Sequence, residues 1–140
     1  MRVLLDTNVV VDVLLHRTPQ DDAAARVLAL VDRGRLEASV CATTVTTIYY
    51  LVARHRGREH ANDCVRGILA RLTIAPVDRA VLDSALALKL ADYEDAVLHE
   101  AARASGAEAI VTRNPKHFGR AGLAVLNPQQ LLSAVRGAGS

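Results

Sequence analysis

The sequence predicts a single α/β domain built on a parallel sheet, and three observations lead there. The 140 residues are 51% apolar and 23% charged, a balance that supports one sizeable core and argues against a disordered chain or a coiled-coil rod. Short β-like runs alternate with longer helical patterns along the whole chain. Two of those runs end in polar clusters, and parallel sheets hold ligands beyond the carboxyl ends of their strands, where strand order reverses.

Each element follows from local pattern. Arg2-Val3-Leu4-Leu5 reads as the first strand, cut off by Asp6-Thr7-Asn8. A helix is expected over 8–16, broken by Thr18-Pro19, and another over 20–33, where Ala24, Val27, Leu28 and Val31 recur at helical spacing up to Gly34. Ala38–Cys41 is a short strand, and helices follow over 44–56 and 59–71, separated by Gly57. Pro76 confines the run from Leu72 to Val77 to a short strand or a sheet edge. Helical patterns then span 79–90 and 93–104, with Gly106 closing the second. Ala109–Thr112 is a strand, Arg113–Gly122 a polar loop, and Leu123–Leu126 a last short strand. Asn127-Pro128 opens the final helix, with Asn127 as cap and proline at the first helical position. The domain is expected to span 1–136, with residues 137–140 as a flexible tail.

Composition narrows the function. One Phe, three Tyr and no Trp make the core aliphatic and exclude a nucleic-acid platform of several stacked aromatics. A net charge of +2 does not by itself indicate nucleic acid. Two cysteines, Cys41 and Cys64, give neither a zinc spacing nor a disulfide framework. Asp6 and Asp12 interrupt the apolar start, so it is not a signal peptide, and no uncharged apolar run approaches the roughly 20 residues of a membrane helix. A cytoplasmic protein with reduced thiols is expected, without membrane association.

Three clusters can carry chemistry. Asp6 stands directly after the first strand, as a helix cap or as an acid at the sheet edge. Asp92-Tyr93-Glu94-Asp95 puts three acids in four residues; Asp92 can cap a helix with Asp95 at its third position, or the group can form part of a site for Mg²⁺ or Mn²⁺, which prefer hard carboxylate oxygens. From there Asp95 can point across the sheet edge toward Asp6. Val111-Thr112-Arg113-Asn114 leaves another strand end, where Thr112 and Asn114 offer oxygens and Arg113 can bind phosphate, or where the loop's polar groups satisfy its own backbone. No P-loop, GxGxxG, GxSxG or HExxH motif competes. The five histidines are scattered; His99, four residues after Asp95, either orients that acid or is an ordinary polar helix residue.

Val3-Leu4-Leu5-Asp6-Thr7-Asn8-Val9, Asp95-Ala96 opening a helix, and Ile110-Val111-Thr112-Arg113-Asn114 with Phe118 together resemble the PIN-domain family of ribonucleases over residues 2–132. Thr46-Thr47-Ile48-Tyr49-Tyr50-Leu51 and Asp92–Ala96 resemble one bacterial and archaeal subgroup, in which many short single-domain members are VapC-type toxins. The resemblance implies a three-layer domain, a parallel sheet of about four or five strands with helices on both faces. It maps the family's first acid onto Asp6, its third onto Asp95 and its fourth position onto Asn114, often Asp elsewhere. The second family acid, a Glu in the helix after the second strand, aligns with Thr47, and no acid lies between Glu37 and Glu59. Two of the four family positions therefore lack a carboxylate.

The implied activity is metal-dependent RNA hydrolysis. Asp6 and Asp95 bind Mg²⁺ or Mn²⁺, Asp92 or Glu94 completes the negative pocket, and Asn114 offers a neutral oxygen. Thr7, Asn8, Thr47 and Thr112 support the site, and Arg113, Lys116 and Arg120 grip the RNA backbone. Arg54-His55-Arg56-Gly57-Arg58 is a second basic candidate, or a solvated helix end. The resemblance also implies a cognate antitoxin that inserts a segment near the acids, and a homodimer. A PIN-like RNA- or protein-binding module without turnover is the alternative, favoured by Thr47 and Asn114. A phosphatase with an aspartate nucleophile ranks last, because the first strand is not followed by a DxD pair.

Overall fold

The computed structural model describes residues 1–119 and 122–138. Five strands form one parallel sheet: β1 (Arg2–Leu5), β2 (Glu37–Cys41), β3 (Thr73–Ala75), β4 (Ala109–Val111) and β5 (Ala124–Leu126). Their spatial order is β3-β2-β1-β4-β5. The chain builds outward from β1 on one side, then returns to lay β4 against β1 on the other. The carboxyl ends of β1 and β4 therefore flank the switch point, where a crevice opens in such sheets.

Among the described residues seven α-helices cover the sheet: α1 (Thr7–Leu14), α2 (Gln20–Asp32), α3 (Ala42–Arg56), α4 (Arg58–Arg71), α5 (Arg79–Leu88), α6 (Tyr93–Ala104) and α7 (Pro128–Ala138). Alternation along the strands divides the core in two. Val3, Leu5, Ala109 and Val111 pack with α1, α2, α3, α4 and α7, while Leu4 and Ile110 face α5, α6 and Phe118. This is the three-layer arrangement expected, with helices on both faces.

Local chemistry sets the boundaries. Asp6, Asp78 and Asp92 each cap a helix by accepting a backbone N–H, from Thr7, Val81 and Glu94 respectively. Asn127 and Gln130 exchange reciprocal side-chain to backbone bonds at 2.8 Å, a capping box ahead of α7. Gly57 separates α3 from α4 at φ 90°, a conformation that β-carbon-bearing residues rarely adopt. The β-branched Thr43 and Thr44 do not delay α3: it begins at Ala42, two residues before the expected start, and Thr46 and Thr47 inside it return their hydroxyls to the Thr43 carbonyl. The edge strand β3 stops at Ala75, before Pro76. Helix α7 runs through Gly137 to Ala138, two residues past the expected boundary; Gly139, Ser140 and the loop residue Arg120 lie outside the described residues.

Candidate active site

Asp6 leaves β1 at the switch point and is 8% exposed. Its backbone N–H donates to the Val111 carbonyl at 2.8 Å, so the residue is clamped to the neighbouring strand β4. One carboxylate oxygen accepts the Thr7 backbone N–H at 2.7 Å, and the other accepts the Thr112 hydroxyl at 2.8 Å. Helix cap and site acid are thus the same residue.

The direction of the Thr112 bond is fixed by its surroundings. Its hydroxyl oxygen already accepts from Asn8 Nδ2 at 3.3 Å and from the Asn114 backbone N–H at 3.2 Å, which leaves its proton for Asp6. Asn8 Oδ1 accepts the Arg113 backbone N–H at 3.1 Å, so Asn8 ties the start of α1 to the loop after β4. On the other side, the Thr7 and Thr44 hydroxyls meet at 2.9 Å and join α1 to the first turn of α3. Thr44 is fully buried, whereas Thr47, one turn further, is half-buried and bonded to the Thr43 carbonyl.

Asp95 occupies the third position of α6, half-buried, in the layer opposite α1 and within electrostatic reach of Asp6. Burial, then the charges of Asp6 and Asp92, push its carboxyl up to about 6. Burial also raises Asp6, against the Thr112 and Thr7 bonds, while Asp92 pushes it further up. Asp92 and Glu94 are exposed, and Asp92 spends an oxygen on the Glu94 N–H. Both reach Asp95 through space as charge. Among the described residues no three His, Cys, Asp or Glu side chains come together closely enough to hold an ion alone. The set present is two carboxylates surrounded by neutral oxygens, which suits a hard ion such as Mg²⁺ that retains waters and takes phosphate oxygens.

The other expected residues separate. Asn114 is exposed and joins the site through its backbone N–H. Lys116 is exposed on the 3-10 turn Pro115–Phe118. Arg113 turns away: its guanidinium reaches Asp12 on α1 at 3.3 Å, where Asp12 is 2% exposed. His99 does not orient Asp95, and it is no surface residue. It is fully buried, with Nδ1 2.7 Å from Glu100 and Nε2 accepting the Leu123 N–H at 3.2 Å. That acceptor role places the ring proton on Nδ1.

Two contributors escaped the sequence reading. His117 stands on the 3-10 turn, and its charge acts on both Asp6 and Asp95, lowering each. Its position three residues after Asn114, on the loop returning to the same edge, was the available signal. Thr44 closes the site at the start of α3, as the third residue beyond the end of β2.

The family model described as PIN domain matches residues 2–116. Among solved structures, the chain is similar to VapBC from Salmonella typhimurium bound to DNA (TM-score 0.71, 17% identity, 91% of this chain and 98% of that one). It is also similar to VapBC2 from Rickettsia felis bound to a fragment of promoter DNA (TM-score 0.70, 20% identity, 91% and 98%). A third is VapC20 from Mycobacterium tuberculosis, a toxin that cleaves the sarcin-ricin loop (TM-score 0.68, 14% identity, 87% and 96%). No curated protein matches significantly. At these identities the structures speak to the fold, whereas the family model covers most of the sequence and its acid-bearing motifs: the chain belongs to the PIN domain family.

Proposed function

We propose that this protein is a divalent-metal-dependent endoribonuclease and the toxin of a toxin–antitoxin pair. The observation that carries the reading is the pairing of Asp6 and Asp95 at the switch point, two desolvated carboxylates that repel each other and, among the described residues, are ion-paired to no arginine. Such a pair is stabilised by a cation, and a site that perturbs its own acids in this way is a functional candidate. Asp6 and Asp95 would hold Mg²⁺ or Mn²⁺. A bound ion of this kind activates a water and offsets charge developing on the scissile phosphate.

The chain's own residues do the rest. Thr112 and the Thr7 N–H fix the rotamer of Asp6 and keep its oxygens as acceptors. Asp92 and Glu94 deepen the negative potential without tight ligation, and Asn8, Asn114 and Thr44 hold the framework. Thr47 sits where a fuller acid set would add a carboxylate. Lys116 and the turn around it face solvent beside the site and are placed to meet the RNA backbone; Arg113 contributes by bracing that loop on Asp12. Arg120 belongs to the same loop by sequence.

A cognate antitoxin partner is supported by the toxin–antitoxin complexes among the similar structures. A homodimer is supported by Leu82 and Leu86 of α5 and Tyr93 of α6, exposed apolar side chains on adjoining helices. No helix among the described residues is long and apolar enough to cross a membrane, and a cytoplasmic location fits the two free cysteines.

The test is cleavage of structured and single-stranded RNA with Mn²⁺, Mg²⁺ or EDTA, beside Asp6→Asn and Asp95→Asn. Metal-dependent cleavage that both variants lose is expected. Cleavage unchanged in both would reject the site. The second reading, a binding module without turnover, is favoured by Thr47 and Asn114. Absence of cleavage from folded protein that still binds RNA would select it.

A further inference from the structure

We propose that the solvent face of α3 is a track for single-stranded RNA leading away from the acid pair, with Tyr50 as a stacking surface and Arg54 and Arg58 as phosphate contacts. The inference rests on RNA being the substrate class and adds a surface outside the acid site.

Helical geometry places the track. Thr44 touches Thr7 beside Asp6, so the first turn of α3 belongs to the site. Thr47, Tyr50 and Arg54 follow at spacings of three and four and share one face of the helix. At 1.5 Å per residue, Tyr50 lies about 9 Å and Arg54 about 15 Å along the axis from Thr44. At about 3.4 Å per stacked nucleotide, that is a path of roughly three to five nucleotides.

The residues on this face are what a single strand needs. Tyr50 is 73% exposed, the most exposed of the large hydrophobic side chains among the described residues. Its neighbour Tyr49 packs against it in a T-shaped pair, with ring centroids 5.6 Å apart and planes at 88°, which steadies the Tyr50 ring while most of its surface stays open to solvent. One exposed aromatic followed by arginine is a minimal stacking-plus-phosphate unit.

The arginines are not explained by internal pairing. Arg2, Arg26, Arg66 and Arg71 each face a carboxylate within 4 Å. Arg54 and Arg58 are exposed and have no such partner among the described residues, although Glu59 follows directly. Helix electrostatics account for Arg54 in the last turn of α3 but not for Arg58, a cation at the first position of α4. Gly57, at φ 90°, joins the two helices, so Arg58 opens α4 directly beyond the last turn of α3.

The test measures binding of a 15-nucleotide single-stranded RNA in EDTA, which separates binding from hydrolysis. Tyr50→Ala should weaken affinity about tenfold, and Tyr50→Phe should preserve it. Arg54→Ala with Arg58→Ala should lower the salt slope by about 1.4, two phosphate contacts' worth for a single strand. Arg33→Ala with Arg35→Ala removes the same charge from the opposite end of the sheet and is the control. Equal losses in that control, or unchanged affinity and slope in the α3 variants, would overturn the track; the second result with weakened binding of an acidic protein partner would assign the face to that partner instead. Track-dependent binding with no metal-dependent cleavage by wild type would sink the hydrolase reading and leave the track standing. Cleavage by wild type with α3 variants that bind normally would do the reverse.

Discussion

Asp6 and Asp12 stand six residues apart, one capping α1 and the other buried within it, yet their surroundings differ in kind. Burial raises both carboxyls. At Asp12 the opposing influences are two cations, Arg113 at 3.3 Å and Arg17 at 4.0 Å. At Asp6 they are a hydroxyl, a backbone N–H and, more weakly, the charge of His117, and the charge of Asp92 works against them. Asp12 has its counter-charge inside the protein and fastens the loop after β4 to α1. Asp6, like Asp95, has no ion pair among the described residues, and only the charge of His117 acts in its favour from a distance. A buried acid ion-paired to arginine is structural, whereas one held by neutral donors beside a second acid, with only the through-space charge of His117 in its favour, is a candidate to receive a cation from outside.

The largest effect should come from removing either member of the unsatisfied pair. Asp95→Asn or Asp6→Asn should lower metal-dependent RNA cleavage by more than about 100-fold, since loss of even an outer-shell partner typically costs 10- to 100-fold. Asp95→Asn should melt at or above the wild-type temperature without metal, because it removes a like charge. Loss of activity together with marked destabilisation would erase the contrast with Asp12.

Arg113→Met attacks the satisfied acid. Asp12 would keep only Arg17, and stability should fall by about 2–3 kcal/mol at neutral pH, visible as a lower urea midpoint. Adding Asp12→Asn should restore most of that loss, because the uncompensated charge disappears. A double variant no more stable than the single one would mean that Arg113 acts through packing rather than charge.

These contrasts were only partly legible in the sequence. The alternation of runs gave the parallel sheet, because period-2 and period-3.6 patterns are local properties. Asp6, Asp92 and Asp95 stood out because acids at strand and helix ends are visible by position. The partners of each acid were hidden, because they come from distant parts of the chain: Thr112 reaches Asp6 across 106 positions and Arg113 reaches Asp12 across 101. Arg113 was therefore expected on RNA when its guanidinium faces inward. His99 was misplaced for the same reason, since nothing near it in sequence announces the Leu123 N–H that it accepts. The role of Thr44 depends on where α3 starts, and helix starts are the least local of these signals.

A smaller change would sharpen the comparison by adding charge. Thr47 lies one turn beyond Thr44, half-buried, where the family's second acid aligns. Thr47→Glu should strengthen Mn²⁺ binding by about tenfold, roughly 1.4 kcal/mol, measured by calorimetry. It should cost stability in the metal-free protein, because a third acid joins a pair that already repels. Unchanged affinity would mean that the α3 position does not face the ion and that two carboxylates are the working set.

The smallest expected effect is the pH dependence of stability, and its sign follows from the pair. Asp95 moves from 3.8 in the unfolded chain to about 6 in the folded one, so the folded state holds the extra proton between those values. The Asp95 contribution to the stability of the metal-free protein should be fully present below about pH 4, be lost as pH rises through 6, and level off above that. Asp95 is partly solvated, so this share is about 1 kcal/mol after screening. Asp12 and Asp6 shift in the same direction, so the Asp95 share is isolated as the difference between wild type and Asp95→Asn across the range. Saturating Mn²⁺ should flatten that difference and reverse it near neutrality, because the ion binds the ionised pair; at 100 times its Kd it would add about 2.7 kcal/mol to wild type. A wild-type-minus-Asp95→Asn difference that rises with pH without metal would show that Asp95 is already satisfied within the fold, as Asp12 is, and would remove the distinction on which the site rests.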